Sequence, residues 1–137
     1  MQSMNETAAS YLRESLAMPP FHQWLRPELR DVAAENGRLV IGLPMRREFW
    51  RDPRRPEIHG RVIAAVIDVA GHAAIAAKLR HGVPTIDLRT DYLRMPAGKE
   101  PYATAEPVNL GIVDVRITAK QSKLVATSRG LFSTRAG

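Results

Sequence analysis

The sequence predicts an α+β fold: one antiparallel sheet curved around one long buried helix, with a short helix ahead of it. Three observations carry this expectation. Residues 60–80 form a run without proline that is apolar on nearly every side, so the helix they form must be wrapped by other structure. The segments flanking it alternate apolar and polar residues, as half-buried strands do. The gaps between those segments are hairpin-sized, which implies antiparallel pairing.

Taken in order, residues 5–16 (NETAASYLRESL) place Ala8, Ala9, Leu12 and Leu16 at helical spacing behind Asn5, a good N-cap. The MPP at 18–20 stops this helix. FHQWL at 21–25 reads as a helical turn or a loop anchor. ELRDVAA at 28–34 and RLVIGLP at 38–44 form a hairpin around the turn residues ENG. Met45 to Ile58 reads as a loop, because Pro53 and Pro56 interrupt regular structure. The central helix follows, about 30 Å long at about 1.5 Å per residue. Gly82 is the expected stop, with Pro84 behind it. In 85–94 Ile86, Leu88, Thr90 and Tyr92 share one face, and Asp87, Arg89 and Asp91 the other. Turn residues fill 95–101. Residues 102–120 read as one long strand, bent or bulged near Pro107 and Gly111. A turn at 121–123 leads to the last strand, 124–134.

The chain's 137 residues suit one domain with a real core. The expected division is a lead-in helix over 1–19 and the main domain over 20–137. A sheet of this size wraps a helix only partly and leaves its edges unpaired, defects that oligomerisation would remedy. The net charge is +6, and 16 of the 20 basic residues are arginine, so anions are attracted. Nucleic acid and phosphate-bearing metabolites are both candidates. No helix-turn-helix, zinc-finger spacing or aromatic stacking motif is visible, so nucleic acid is not expected as a partner. The dense basic stretch MRREFWRDPRR at 45–55 reads first as a solvated loop. Residues 62–79 are long and apolar enough to suggest a membrane span. Asp68, His72 and Lys78 oppose that, because a charge near a span's centre costs about 2.5–3.5 kcal/mol. A buried core helix is the expectation, with no membrane partner. The opening MQSMNETAAS lacks a basic start and an apolar run, and the chain has no cysteine, so a reducing, cytoplasmic setting is expected. Four scattered histidines show no ligand spacing, so neither metal nor cofactor is expected.

Three segments carry a resemblance. HGRVIAAVIDVAG at 59–71, TIDLRTDYLRMPAG at 85–98 and KLVATSRGLF at 123–132 resemble, in order and spacing, the hotdog-fold acyl-CoA thioesterases. The phenylacetate-degradation type, relatives of 4-hydroxybenzoyl-CoA thioesterase, is the nearest look. The resemblance spans residues 20–134. It implies a homodimer with merged sheets, or a dimer of dimers, with active sites at the dimer interface. It implies acyl-CoA as substrate, and no cofactor beyond the CoA part of that substrate. Two positions depart from the pattern. Arg61 stands where the family has a second glycine, and Pro53, beside Asp52, stands where it has an asparagine that holds the attacking water.

Asp68 is an acid inside an apolar helix. Two readings of it stand side by side. It is structural, paired with His72 one turn on or with an arginine across an interface. Or it is catalytic, a general base for water or a nucleophile that forms a transient anhydride. By the resemblance, Gly60 at the helix start supplies a backbone N–H to the thioester oxygen, and His59 shapes the loop beside it. Without a Cβ, Gly60 lets that oxygen approach closely. Arg61 is placed to bind a phosphate or carboxylate, or to obstruct the acyl group. Phe49 and Trp50 line an acyl pocket or pack in the core. Arg94, with Arg46, Arg47, Arg54 and Arg55, is a candidate for the phosphates of CoA. His22 and His81 are expected at the surface. Competing readings are an acyl-CoA binder without turnover, a hydratase or dehydratase of 3-hydroxyacyl or enoyl thioesters, and a basic nucleic-acid binder.

Overall fold

A computed structural model describes residues 2–96, 98–119 and 123–135. The first helix, α1, spans Gln2–Ala17 and therefore starts before Asn5. Asn5 is not its cap: its Oδ1 accepts the backbone N–H of Ala34 at 2.8 Å, tying α1 to the strand that follows. Leu12 is fully buried and Leu16 nearly so, so α1 lays its apolar face onto the common core. FHQWL forms a short helix, α2 (Pro20–Leu25), with proline in the first turn, where its missing N–H costs nothing.

Strands β1 (Glu28–Ala33) and β2 (Arg38–Gly42) form the expected hairpin, with Gly37 at φ 76° in its turn. The loop expected over 45–58 is more ordered than its prolines suggest. It contains a 3₁₀ turn at Arg47–Phe49 and a small two-stranded ribbon, β3 (Trp50–Asp52) and β4 (Arg55–Ile58). Pro53 falls in the tight turn between them, where no ladder donor is needed.

The central helix, α3, spans Gly60–Leu79. It ends at Arg80 rather than at Gly82. Arg80 takes the left-handed conformation (φ 62°) and donates its N–H to Ala76 O at 2.7 Å. Strand β5 runs Thr85–Tyr92. In place of the one strand expected over 102–120, the described residues 102–119 hold two: β6 (Tyr102–Asn109) and β7 (Ile112–Ala119) pair as a hairpin. The glycine that suggests a bend is the turn itself, with Gly111 at φ 91°, a conformation costly for any residue with a Cβ. Strand β8 (Lys123–Phe132) closes the sheet. The turn expected at 121–123 falls largely on 121 and 122, outside the described residues, as does Ala97 in the earlier turn.

The six long strands form one sheet in the order β1-β2-β6-β7-β8-β5, every neighbouring pair antiparallel. The sheet curls around α3. Val66, Ile67, Ala70 and Ala74 are fully buried against Ile41, Ala105, Val113 and Ile117. Burying such side chains stabilises by about 1.5–3 kcal/mol each for the larger ones. By length and composition α3 could cross a membrane, yet most of its apolar stretch is buried inside this sheet. The wrap is incomplete. Arg61, Ala64, Ala65, Asp68 and His72 form a stripe along α3 that is not fully covered. Their spacing of three and four residues places them on one side of the helix. The acid in the apolar run therefore lies on the side the sheet leaves open.

Strand β5 is one edge of the sheet, next to that open stripe. Its outward edge lacks a partner strand among the described residues. Ile86 and Tyr92 on β5, with Leu93 and Met95 just beyond it, are all more than half exposed.

Candidate active site

The first turn of an α-helix has donors that the helix itself cannot satisfy. In α3 they can be counted. His59 is the N-cap, at φ −65° and ψ 135°, and its ring Nδ1 accepts the N–H of Arg61 at 3.1 Å. Its carbonyl accepts Val62 N–H at 2.9 Å and Ile63 N–H at 3.3 Å. Among the described residues, this leaves Gly60 as the first-turn donor without an acceptor. His59 is held in turn by its own N–H, which donates to Phe49 O at 2.7 Å. One histidine thus caps three donors and leaves the fourth free at the positive end of the helix.

Tyr92 lies over this end. Its hydroxyl donates to Gly60 O at 3.2 Å, and a Cβ added at Gly60 would sit 3.7 Å from its ring. A small residue would therefore fit here, and the glycine mainly keeps the approach to its N–H open.

Asp68 is half-buried. Its Oδ1 accepts the hydroxyl of Thr85 at 2.6 Å. Among the described residues no basic group lies within ion-pairing distance of it. His72 does not take the role of ion-pair partner. Its Nε2 accepts the N–H of Val83 at 3.2 Å, so this ring anchors the chain leaving α3. Burial pushes the His72 imidazole below its ordinary value of 6.5; the carboxylate of Asp68 opposes that, and His22 adds to it.

The other sequence candidates are scattered. Phe49 is fully buried, edge-on to Trp24 at 5.4 Å between ring centroids. The Arg46 guanidinium covers Phe49 at 4.1 Å and donates to the carbonyls of Trp24 and Leu25, which makes Arg46 a structural clamp. Trp50 is half-buried at the start of β3, with Arg47 5.8 Å from its ring centroid. Arg61 is exposed at the mouth of α3, and Arg94 is exposed just after β5. Asp52 turns inward on its own loop, accepting Arg54 N–H at 2.9 Å. Among the described residues no cluster of three or more metal-ligating side chains forms.

The structure therefore brings His59, Gly60 and Arg61 together at one end of α3, with Tyr92 above them, and places Asp68 with Thr85 further along. Eight residues at about 1.5 Å each put Gly60 and Asp68 about 12 Å apart along the axis. Both touch β5. Sequence reasoning missed Thr85 and Tyr92. Tyr92 was legible only as sharing one face of an alternating strand with Leu88 and Thr90; Thr85 was not legible as a neighbour of Asp68.

Comparison with known proteins now bears on this geometry. The profile of the thioesterase superfamily matches residues 57–126, which run from just before α3 into β8. The chain belongs to the thioesterase superfamily. Solved structures agree with that membership. A Bordetella protein of the thioesterase superfamily is 27% identical, with a TM-score of 0.82 over 97% of this chain and 99% of its own. A point mutant of the phenylacetic acid degradation protein PaaI from Thermus thermophilus is also 27% identical, with a TM-score of 0.70 over 84% and 99%. The PaaI protein from the phenylacetic acid degradation operon of E. coli shares the fold at 19% identity, with a TM-score of 0.84 over 98% and 97%. No curated protein matches the sequence. The α+β hotdog architecture is thus established for this thioesterase-superfamily chain, and the membership supports a thioester-hydrolysing function.

Proposed function

We propose that this protein hydrolyses acyl-CoA thioesters to the free acid and CoA, in a site shared between two copies of the chain. The observation that carries the reading is the donor count at α3: His59 satisfies its neighbours and leaves the Gly60 N–H free. That N–H binds the thioester oxygen, where negative charge builds as the carbonyl carbon becomes tetrahedral. Asp68 takes a proton from water as the water oxygen attacks that carbon. The C–S bond then breaks and the proton passes to the departing thiolate of CoA. Asp68 attacking directly, through an anhydride that water then opens, is the variant of this scheme; incorporation of oxygen-18 into the protein during a single turnover separates the two.

The separation of about 12 Å between Gly60 and Asp68 is too long for both to act on one carbonyl within one chain. Pairing at the β5 edge would bring the Gly60 of one copy to the Asp68 of another, and would cover the exposed apolar residues there. Arg61 and Arg94, both exposed, are the residues assigned to the phosphates of CoA. The acyl group is assigned to the side nearest Trp50 and Phe49.

The test is a panel of acyl-CoA esters with a thiol-trapping dye, run beside Asp68→Ala and Asp68→Asn. CoA release from the unaltered protein, lost in both variants, is the expected result. Turnover that survives both substitutions contradicts the assignment of Asp68.

A further inference from the structure

The corner where α1 and α2 meet β1 gathers positive charge that no ion pair answers. Arg13 on α1, Arg26 just after α2 and Arg30 on β1 line one open hollow of about 650 Å³, and Glu28 is the acid among its lining residues. Arg30 answers that acid: its Nη2 meets Glu28 at 2.8 Å and also reaches Glu100. Arg13 and Arg26 are exposed, and among the described residues neither has an ion-pair partner. Carbonyls nearby are engaged by other donors. Leu16 O accepts from His22 Nδ1 at 3.0 Å, Met18 O from Gln23 Nε2 at 3.2 Å, and His22 O from the backbone N–H of Arg26 at 2.7 Å. Arg46 holds the carbonyls of Trp24 and Leu25. Guanidinium groups from two elements therefore line one hollow without an acceptor.

Arg26 stands there at a conformational cost. Its backbone is left-handed, at φ 60° and ψ 52°, which crowds any residue with a Cβ. Pro27 follows, and a following proline favours extended backbone instead. Glycine ends a helix in this way without strain. Such strain clusters at ligand clamps and switch regions. Arg80, the other left-handed arginine, lays its guanidinium over the Tyr11 ring at 4.8 Å. Arg26 has no such ring among the described residues.

We infer that this hollow is a binding site for a phosphate group, its dianion held between Arg13 and Arg26. The planar fork of arginine matches phosphate oxygens two at a time. Two cations also balance the charge of about −2 that a phosphate carries well above its second pKa of about 6. The site does not depend on the reading of Gly60 and Asp68, so a failure of hydrolysis leaves it standing. The probe is inorganic phosphate, titrated at about pH 8 and constant ionic strength and followed by calorimetry. Saturable binding is expected. Arg26→Gly relieves the backbone, so its thermal midpoint should equal or exceed that of the unaltered protein, while phosphate affinity falls by about 10- to 100-fold. Arg13→Gln should weaken binding to a similar degree. Arg116→Gln removes an arginine already paired with Glu106 on the sheet and should leave the affinity unchanged. Absence of saturable binding overturns the inference, and so does an unchanged affinity in Arg26→Gly. An equal loss in Arg116→Gln overturns it too, because that marks a diffuse response to net charge. CoA and dephospho-CoA, which lacks the 3′-phosphate, then identify the source. If Arg26→Gly weakens CoA but not dephospho-CoA, the hollow holds the 3′-phosphate of CoA. If it weakens inorganic phosphate and neither CoA compound, the occupant is a separate small phosphate. Both results support the site.

Discussion

The outer face of the sheet and the open stripe of α3 each present an aspartate, and the fold treats the two oppositely. On the sheet, Asp114 is gripped by Arg129 through two bonds of 2.7 and 2.9 Å, and Glu106 nearby is paired with Arg116. The Arg129 hydrogen bonds hold the Asp114 carboxyl below its ordinary range, so it stays charged and occupied. On α3, Asp68 has a single hydroxyl donor and no cation among the described residues. A chain with 16 arginines could easily have supplied one. The difference separates charge that covers a surface from charge kept available for chemistry, in spite of the cost of placing it among apolar neighbours.

The comparison breaks most directly at the two aspartates. Asp68→Asn should reduce turnover by about 10²–10⁴-fold, the usual contribution of a general base. Asp114→Asn should leave turnover unchanged, because it removes only a surface pair. Equal losses in steady-state assays would erase the distinction between the two regions.

A somewhat smaller effect is expected at the helix start. Gly60→Pro deletes the free N–H while keeping the helix, since proline is tolerated at the first helical position. His59 already has the extended backbone that a following proline requires. Turnover should fall by about 10²–10³-fold, as when one oxyanion donor is removed. Gly60→Ala keeps the N–H and meets only ordinary contact with Tyr92, so it should be mild. If alanine is as damaging as proline, the free donor is not what matters.

Next comes the packing beside Asp68. Gly71→Ala drives a methyl into the Phe132 ring and should destabilise by about 1–3 kcal/mol, read from urea midpoints. An unchanged midpoint would mean that Phe132 does not sit on the helix.

The smallest effect concerns His72. Burial holds its folded-state proton affinity below 6.5, so the unfolded chain takes up a proton that the folded chain refuses. The stability contributed by neutral His72 is complete above about pH 6.5 and is lost as pH falls from there through the folded value. Denaturant midpoints should decline over that window, and His72→Gln should flatten the decline. A midpoint that rises on acidification contradicts this.

Much of the architecture is legible because long elements declare their period. The apolar run of α3 and the alternation of β5 point to a wrapped helix from the sequence alone. Two local signals mislead. Gly111 suggests a bend, although a left-handed glycine between alternating runs equally marks a hairpin. Pro53 argues against strands, but a tight turn hides its missing donor. The candidate site is legible at Gly60 and Asp68, one a helix start and the other an acid out of place. Thr85 is not, because a one-residue bulge reverses a strand's faces without leaving a mark in composition.

The central claim is that one copy supplies the Gly60 N–H and another supplies Asp68, and subunit mixing tests it. Gly60→Pro and Asp68→Asn chains, each inactive alone, are dissociated together and reassembled. A shared site regains up to about a quarter of normal activity, because half of the random dimers hold one intact site of two. No recovery, with hybrids shown by mass spectrometry to have formed, contradicts the shared site, since a site built within one chain would carry a lesion in every copy.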